Sequence, residues 1–207
     1  ILALKAVGTG SHTVAQDGYD NYAPSISPNA EMVAYLSRRD GTTHIVTANL
    51  NGSNKRSIRT THSFSRLAWS PSGYQIAFAM TDSAVWKIYV MNPDGTGLKE
   101  LGPGQNPQWA PIGRRILAVT RDSPRDVYVY DLNAGTSETV ISGGTFNGLP
   151  RWSPDGGRLL IATDAGSRIN VFHLERREME EVGTMHTWSD RSYTWRPREP
   201  LQIVPSF

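Results

Sequence analysis

The sequence contains no cysteine in its 207 residues, which excludes disulfide bonds, thiolate metal ligands and cysteine nucleophiles. It also has no apolar stretch long enough to cross a bilayer as a helix. The net charge of +2 is too small to favour binding to nucleic acid. Because the chain does not start with methionine, we expect a mature or trimmed product from which an export signal has been removed.

Motifs for catalysis and metal binding are also missing from the sequence. No G-x-S-x-G nucleophile elbow occurs, and the five histidines show no zinc-ligand spacing. The Asp-Gly pairs that begin at Asp94 and Asp155 lack the dense oxygen ligands of a calcium loop and are typical of hairpin turns. We therefore predict no catalytic residue, no metal site and no cofactor.

A short motif recurs five times along the chain. Four copies have the form Trp-x-Pro, and the first copy has isoleucine in place of tryptophan; the prolines are Pro28, Pro71, Pro111, Pro154 and Pro197. Successive prolines are 43, 40, 43 and 43 residues apart. A period of this length, with turn residues at regular offsets, is typical of the blades of a β-propeller.

Each copy contains four short candidate strands joined by turns rich in Gly, Pro, Asn and Asp, which predicts an antiparallel meander. The second strands, at 76–79, 116–119 and 159–162, are apolar on both faces. Strands of this kind are buried between a neighbouring layer on each side. The fourth strands are polar and weakly patterned, as expected of an outer edge.

These patterns predict an all-β fold: a five-bladed β-propeller of four-stranded antiparallel blades, formed by residues 1–207 as a single domain. Four blades are expected at about 22–60, 64–102, 106–142 and 149–183. The fifth blade combines 192–207 with 1–16, so that N- and C-terminal strands pair in one sheet and close the ring.

The repeats resemble those of the TolB-like β-propeller family, which is related to WD-repeat propellers. The resemblance lies in residues 66–78 and 149–157, where Trp-Ser-Pro is followed by Ser-Gly or Asp-Gly, and in residues 87–97, which end in Asn-Pro-Asp-Gly-Thr-Gly. Known members of this family include a periplasmic protein of a cell-envelope complex and propeller domains attached to serine peptidases. The resemblance implies the fold, whereas function resides in sites that differ between members.

Candidate functional residues lie on or beside the predicted innermost strands, at the expected mouth of the central channel: Tyr22, Arg66, Asn106, Arg151, Arg191 and Arg196. Arginine at such a mouth can hold a carboxylate, a phosphate or an acidic peptide. The alternative is that these side chains only line a polar, water-filled channel. Four motif tryptophans are predicted to pack between blades rather than to stack on a ligand: Trp69, Trp109, Trp152 and Trp195. Lys55 and Arg56 are expected on a solvated hairpin edge.

The lack of a catalytic constellation favours a non-catalytic scaffold or protein-interaction module in a bacterial assembly, periplasmic or extracellular, whose partners are other envelope proteins. An alternative is a propeller that binds a small anionic or carbohydrate ligand. A third hypothesis is a five-bladed glycosidase, in which Asp20 and Asp190 approach each other from adjacent blades. No nucleic acid partner and no direct membrane span are predicted.

Overall fold

The computed structural model describes residues 1–4, 11–60, 63–81, 85–121, 124–163 and 168–184. Within these ranges every regular element is a β-strand. No helix in the same ranges has the length and apolar character needed to cross a bilayer. The prediction of an all-β fold is therefore confirmed.

Sixteen strands of the described ranges form four antiparallel sheets of four strands each. The first sheet contains β3 (Asp20–Ile26), β4 (Met32–Arg39), β5 (Thr42–Asn49) and β6 (Arg56–Thr60), and the second contains β7 (Ser63–Trp69), β8 (Ile76–Thr81), β9 (Lys87–Met91) and β10 (Lys99–Pro103). The third contains β11 (Gln105–Trp109), β12 (Arg115–Val119), β13 (Arg125–Asp131) and β14 (Thr136–Gly144), and the fourth contains β15 (Phe146–Trp152), β16 (Arg158–Thr163), β17 (Arg168–His173) and β18 (Glu178–Thr184). In each sheet the strands lie in chain order, so the predicted four-stranded meanders are confirmed.

The chain divides into two compact units, residues 1–109 and 110–207. In the first unit, one face of the first sheet packs against the second sheet through a shared apolar core: Ala34, Leu36, Ile45, Leu67, Trp69, Ile76, Phe78 and Met91. The opposite face of the first sheet packs against the segment that follows β2 (Ser11–Thr13), through a second cluster: Val14, Ala15, Val33, Tyr35, Val46 and Ala48. Both faces of the first sheet are therefore covered.

In the second unit, the main core joins residues of the third and fourth sheets: Leu117, Val119, Val127, Trp152, Leu159, Ile161 and Phe172. A separate cluster lies on the other face of the fourth sheet: Leu160, Ala162, Ile169 and Val171. Residues 159–162 of β16 alternate between these two clusters, because successive side chains of a strand point to opposite faces. This alternation explains why the second strand of a repeat is apolar along its whole length.

The serine of the Trp-Ser-Pro motif closes the turn between the first and second strands. The hydroxyl Oγ of Ser27 accepts a hydrogen bond from the amide of Met32 at 2.9 Å. Ser153 Oγ accepts from the amide of Arg158 at 2.9 Å, and Ser70 forms the corresponding bond in its own copy. The hydroxyl thus provides a local acceptor beside a proline, which cannot donate to the strand ladder.

The fifth predicted blade is described only in part. Its N-terminal half is present as β1 (Leu2–Leu4), which pairs with β2 in antiparallel register. Its C-terminal half, at 192–207, lies outside the described residues. The count of five blades and the closure of the ring therefore stay predictions.

Candidate functional site

Two motif tryptophans of the first unit, in β7 and β11, each form a hydrogen bond to the first strand of the preceding sheet. The indole Nε1 of Trp69 donates to the carbonyl oxygen of Ser25 at 2.8 Å, and that of Trp109 donates to the carbonyl oxygen of Ala68 at 2.9 Å. Ser25 and Ala68 hold the same position, directly before the Ile or Trp of the preceding copy. Both indoles are 8% exposed, so their faces are occupied by packing.

The motif tryptophan of the second unit is also buried, and an arginine lies over it. The guanidinium carbon of Arg115 is 5.3 Å from the centre of the Trp152 ring. The same guanidinium donates to the carbonyl oxygen of Gly156 at 2.6 Å. Arg115 is therefore held against the turn that follows Trp152. The remaining motif tryptophan, Trp195, lies outside the described residues.

The predicted channel-mouth residues lie in the first strands of different sheets. Tyr22 is half-buried in β3, and the guanidinium carbon of Arg38 is 5.9 Å from its ring centre. Arg66 is exposed in β7 and Asn106 is half-buried in β11, both in the first unit. Arg151 is exposed in β15 of the second unit. Two further candidates lie outside the described residues: Arg191 and Arg196.

The first strands are irregular where several of these candidates lie. The pairing register shifts between Tyr22 and Ser25 in β3, and a similar shift occurs around Arg66 in β7. Ala23 and Asn106 have positive φ angles of 50° and 53°, which non-glycine residues rarely adopt. Because a bulge turns side chains out of the regular alternation, spacing along the sequence does not determine which way these candidates point.

A compact polar cluster of the first unit lies between the segment before β3 and the first sheet. The carboxylate of Asp17 accepts a hydrogen bond from Nδ2 of Asn21 at 2.8 Å. Its Oδ2 lies 3.9 Å from a terminal nitrogen of Arg39 and 3.9 Å from Nζ of Lys55. The guanidinium carbon of Arg39 is 4.7 Å from the centre of the Tyr19 ring. These five residues are called the Asp17 cluster below.

A buried tyrosine lies on the sheet face that carries Arg39. Tyr35, Ser37 and Arg39 alternate along β4, so their side chains share one face, and Asn21 is the cross-strand partner of Ser37. The hydroxyl of Tyr35 and Oδ1 of Asn21 are buried and have no hydrogen-bond partner in the described part of the chain. Two unpaired polar atoms therefore lie on the face next to the Asp17 cluster.

The electrostatics of the cluster follow from these contacts. The pKa of Asp17 is lowered, chiefly because Asn21 donates a hydrogen bond to it and with a further contribution from the positive charge of Lys55, so the carboxylate is ionised at neutral pH. Burial, aided by the negative charge of Asp17, raises the pKa of Tyr35. The Tyr35 hydroxyl therefore keeps its proton. With Arg39 and Lys55 positive and Asp17 negative, the cluster has one net positive charge.

Sequence reasoning missed this cluster and placed Lys55 on a solvated hairpin edge. The ion pair of Lys55 with Asp17 joins residues in different parts of the sequence. It forms only because the segment before β3 packs on the first sheet. One available signal was the dense polar and aromatic run at 17–22, which directly precedes the first repeat.

The residues of the glycosidase hypothesis are described in part. Asp20 begins β3, and its backbone pairs with Arg38 of β4. Asp190 lies outside the described residues. Within the ranges that the structure describes, no group of three or more His, Asp or Glu residues is arranged to hold a metal ion.

The sequence comparisons find relatives that match part of the chain. No family model matches it. It is 34% identical to the Tol-Pal system protein TolB of Alcanivorax borkumensis over 86 residues, which are 39% of this chain and 20% of that protein. It is 30% identical to the WD repeat-containing protein dyf-2 of Caenorhabditis elegans over 122 residues, which are 56% of this chain and 8% of that protein.

Solved structures match a larger share of the chain at low identity. TolB from Acinetobacter baumannii matches with a TM-score of 0.64 and 18% identity, covering 89% of this chain and 48% of that one. An oligogalacturonate lyase in complex with manganese matches with a TM-score of 0.71 and 13% identity, covering 96% and 61%. Puromycin hydrolase matches with a TM-score of 0.65 and 16% identity, covering 86% and 31%. At these identities the likeness concerns the fold alone.

The repeats, the four-stranded sheets and these matches define the class of the protein: it is an all-β repeat protein of the propeller type. Within that class, the predicted resemblance to TolB-like propellers is confirmed by the sequence match to TolB over 86 residues and by the likeness in fold to solved TolB structures. The chain spans less than two thirds of these first relatives, namely 20% of the Alcanivorax protein and 48% of the Acinetobacter one.

Proposed function

We propose that this chain is a non-catalytic propeller module that binds a protein partner in a bacterial cell-envelope assembly, in the periplasm. The observation that carries the proposal is its relationship to a Tol-Pal system protein, at 34% identity over 86 residues. The described motif tryptophans support it, because packing explains their burial. A homologue of such a protein provides a rigid frame on which turns and edges contact a partner.

We place the partner contact at the end of the second sheet that carries the β7–β8 and β9–β10 turns. Tyr74 in the first of these turns is 77% exposed, the highest fraction among the large apolar side chains of the described residues. Leu98 precedes β10 at the same end and is also exposed. Tyrosine is enriched in protein interfaces because it combines a large apolar ring with a polar tip.

We also propose that residues 1–207 close as a ring of five blades. The β1–β2 pair contributes two strands of the fifth blade. Ile26 occupies the motif position at which Trp69 and Trp109 are 8% exposed, yet Ile26 is 53% exposed. In a closed ring, the copy that ends at Pro197 lies next to this position and covers it.

Calorimetric titration of the purified chain with the purified Pal component of a Tol-Pal system tests the interaction, with Alcanivorax TolB as the positive control. We expect binding with a Kd of about 1 to 100 µM, as for a transient complex. Tyr74→Ser should weaken it by about tenfold or more. Val85→Ser is the matched control, since Val85 is exposed beside the β8–β9 connection at the opposite end of the same sheet.

Two results contradict the proposal. One is the absence of Pal binding under conditions in which TolB binds. The other is turnover by the purified chain of oligogalacturonate or of peptide substrates, the substrate classes of the enzymes that share its fold. Equal weakening by Tyr74→Ser and Val85→Ser would refute the proposed location of the contact.

A further inference from the structure

The two cations of the Asp17 cluster keep unused hydrogen-bond donors. Oδ2 of Asp17 is 3.9 Å from each cationic nitrogen, which is longer than the range of about 2.7–3.2 Å for an N–H···O hydrogen bond. Among the described residues, Lys55 has no hydrogen bond through Nζ, and Arg39 donates only through Nε, to Ser37 at 3.0 Å. Asp17 therefore neutralises one of the two positive charges, but it forms no hydrogen bond with the terminal nitrogens of Arg39 or with Nζ of Lys55.

The guanidinium of Arg39 is held in one orientation. Its Nε is tied to Ser37, which is fully buried, and the group lies against the Tyr19 ring. A guanidinium fixed in this way presents its planar fork to a carboxylate without further ordering. The Tyr19 ring is 44% exposed, so an apolar surface adjoins the fork.

Two buried polar atoms near the cluster, the Tyr35 hydroxyl and Oδ1 of Asn21, can each form a hydrogen bond with a hydroxyl group. Tyr35 is 0% exposed, and its protonated hydroxyl can both donate and accept a hydrogen bond. Oδ1 of Asn21 is an acceptor, whereas Nδ2 of the same residue is already bound to Asp17. Neither the Tyr35 hydroxyl nor Asn21 Oδ1 has a partner in the described part of the chain. Buried polar atoms of folded proteins are normally paired, so each of these two atoms keeps a capacity for a hydrogen bond that the described residues leave unused.

We propose that the Asp17 cluster binds a small hydroxy acid. The carboxylate of the ligand is held by Arg39 and Lys55, and its hydroxyl groups hydrogen-bond to Asn21 and Tyr35. The carbon skeleton packs against the ring of Tyr19. This inference goes beyond the proposed protein contact, because it assigns a small-molecule site to the opposite face of the first sheet from the one that packs on the second sheet.

The hydroxyl partners, not the charge, separate a hydroxy acid from a phosphate. Two cations and one anion leave one net positive charge, which attracts a phosphate dianion at least as strongly as a carboxylate. Inorganic phosphate, however, has no hydroxylated carbon skeleton to meet Asn21, Tyr35 and Tyr19. We therefore expect selectivity for carboxylates that also carry hydroxyl groups.

Titration with gluconate at low ionic strength, followed by calorimetry and by amide chemical shifts in NMR, tests this site. Gluconate combines one carboxylate with several hydroxyl groups. Three comparison compounds separate its features: acetate has the carboxylate alone, sorbitol has hydroxyl groups alone, and inorganic phosphate is a different anion. We expect saturable binding of gluconate at one site, and affinities about tenfold or more lower for each of the other three.

Variants assign the roles of individual residues. Arg39→Gln and Lys55→Gln should each weaken gluconate binding by about tenfold or more. Tyr35→Phe should weaken gluconate binding by several-fold and leave acetate binding unchanged. Lys99→Gln is the matched control outside the cluster: it removes one exposed cation and should leave gluconate binding unchanged.

The proposal is wrong if gluconate does not saturate the protein, if phosphate binds as tightly as gluconate, or if Lys99→Gln abolishes binding. Chemical shift changes confined to residues outside 17–21, 35–39 and 55 would also overturn it. Circular dichroism verifies the fold of each variant; if Arg39→Gln does not fold, Lys55→Gln, at a partly exposed side chain, gives the decisive comparison. Pal binding is measured separately, so either proposal can fail alone.

Discussion

Trp109 donates a hydrogen bond from its indole Nε1 to the carbonyl oxygen of Ala68, 41 residues earlier, at 2.9 Å. The corresponding bond joins Trp69 to Ser25, 44 residues earlier. Each tryptophan is 8% exposed, and its indole pairs a backbone acceptor on the first strand of the preceding copy. In these two pairs, the step of 43 or 40 residues between copies places the tryptophan of the later copy against the first strand of the earlier one.

Replacing Trp109 should separate these two contributions. Trp109→Phe retains a ring but removes the donor to Ala68, and we expect a loss of about 1–2 kcal/mol in the free energy of unfolding. Trp109→Ala also removes the packing and should cost about 3–5 kcal/mol. Urea unfolding measures both values. Trp86→Phe is the matched control, because the Trp86 indole has no hydrogen bond in the described part of the chain; an equal loss there would contradict the account.

Gly95 should tolerate no side chain, for a reason beyond backbone conformation. Its φ is +87°, and a Cβ atom there would lie 2.9 Å from Cγ1 of Ile58. We expect Gly95→Ala to lower the free energy of unfolding by about 2–4 kcal/mol, from left-handed strain and overpacking together.

The control for Gly95 is a glycine with similar backbone geometry and open surroundings. Gly41 has φ of +75°, and a Cβ atom there would have no neighbouring atom within 4 Å. Gly41→Ala should therefore cost only the strain, about 1–2 kcal/mol. Thermal and urea unfolding of the two variants measure the difference. If the two variants lose the same free energy of unfolding, the Ile58 side chain moves away from the new Cβ atom at no energetic cost, which would contradict the prediction.

Asp155 should stabilise the fold in a pH-dependent manner. Its pKa is lowered, first by the hydrogen bond from the Ser153 hydroxyl and then by that from the amide of Gly157. A folded pKa below the ordinary value of 3.8 means that the contribution is complete above that value and is lost as the pH falls through the folded pKa. Asp155→Asn should therefore be less stable than the parent at pH 7.

The same variant should approach the parent in stability as the pH falls below the ordinary carboxyl range. Because the carboxylate is largely exposed, we expect a difference of at most about 1 kcal/mol at pH 7. Urea unfolding at several pH values measures it. Glu175→Gln, at an exposed carboxylate without a hydrogen bond or ion pair among the described residues, should show no such trend. A difference that grows towards low pH would contradict the assignment.

The repeat motif allowed most of the sheet structure to be predicted from the sequence. Trp-Ser-Pro marks the end of a first strand, because the serine and proline together form the turn. A continuous apolar run such as 159–162 marks a second strand with two buried faces. Both signals involve only residues close together in the sequence, so they can be read without knowing the fold.

The polar site could not be predicted in the same way. Asp17, Arg39 and Lys55 belong to three separate segments, and they meet only because the segment after β2 packs on one face of the first sheet. The bulge at Ala23 was equally hidden, since alanine carries no sequence signal for a positive φ. Side-chain directions in the first strands depend on such bulges, and therefore on tertiary structure.

Pairing of the two chain ends within one sheet is the central claim about the architecture, and the absence of cysteine makes it directly measurable. Ala3→Cys is combined in turn with a single cysteine at 201, 202, 203 or 204. Neighbouring antiparallel strands have Cα atoms about 4.5–5.5 Å apart, within the range that a disulfide spans. In the control proteins, the same cysteines at 201, 202, 203 or 204 are combined with Asn51→Cys, in the β5–β6 turn, instead of with Ala3→Cys.

The measurement is the rate of intramolecular disulfide formation under mild oxidation, read by mass and by gel mobility of the monomer. Closure predicts that at least one of the four pairs with position 3 forms a disulfide within the monomer, far faster than every pair with position 51. If no pair with position 3 forms one, or if only disulfide-linked dimers appear, the two ends do not share a sheet and the five-bladed ring is wrong.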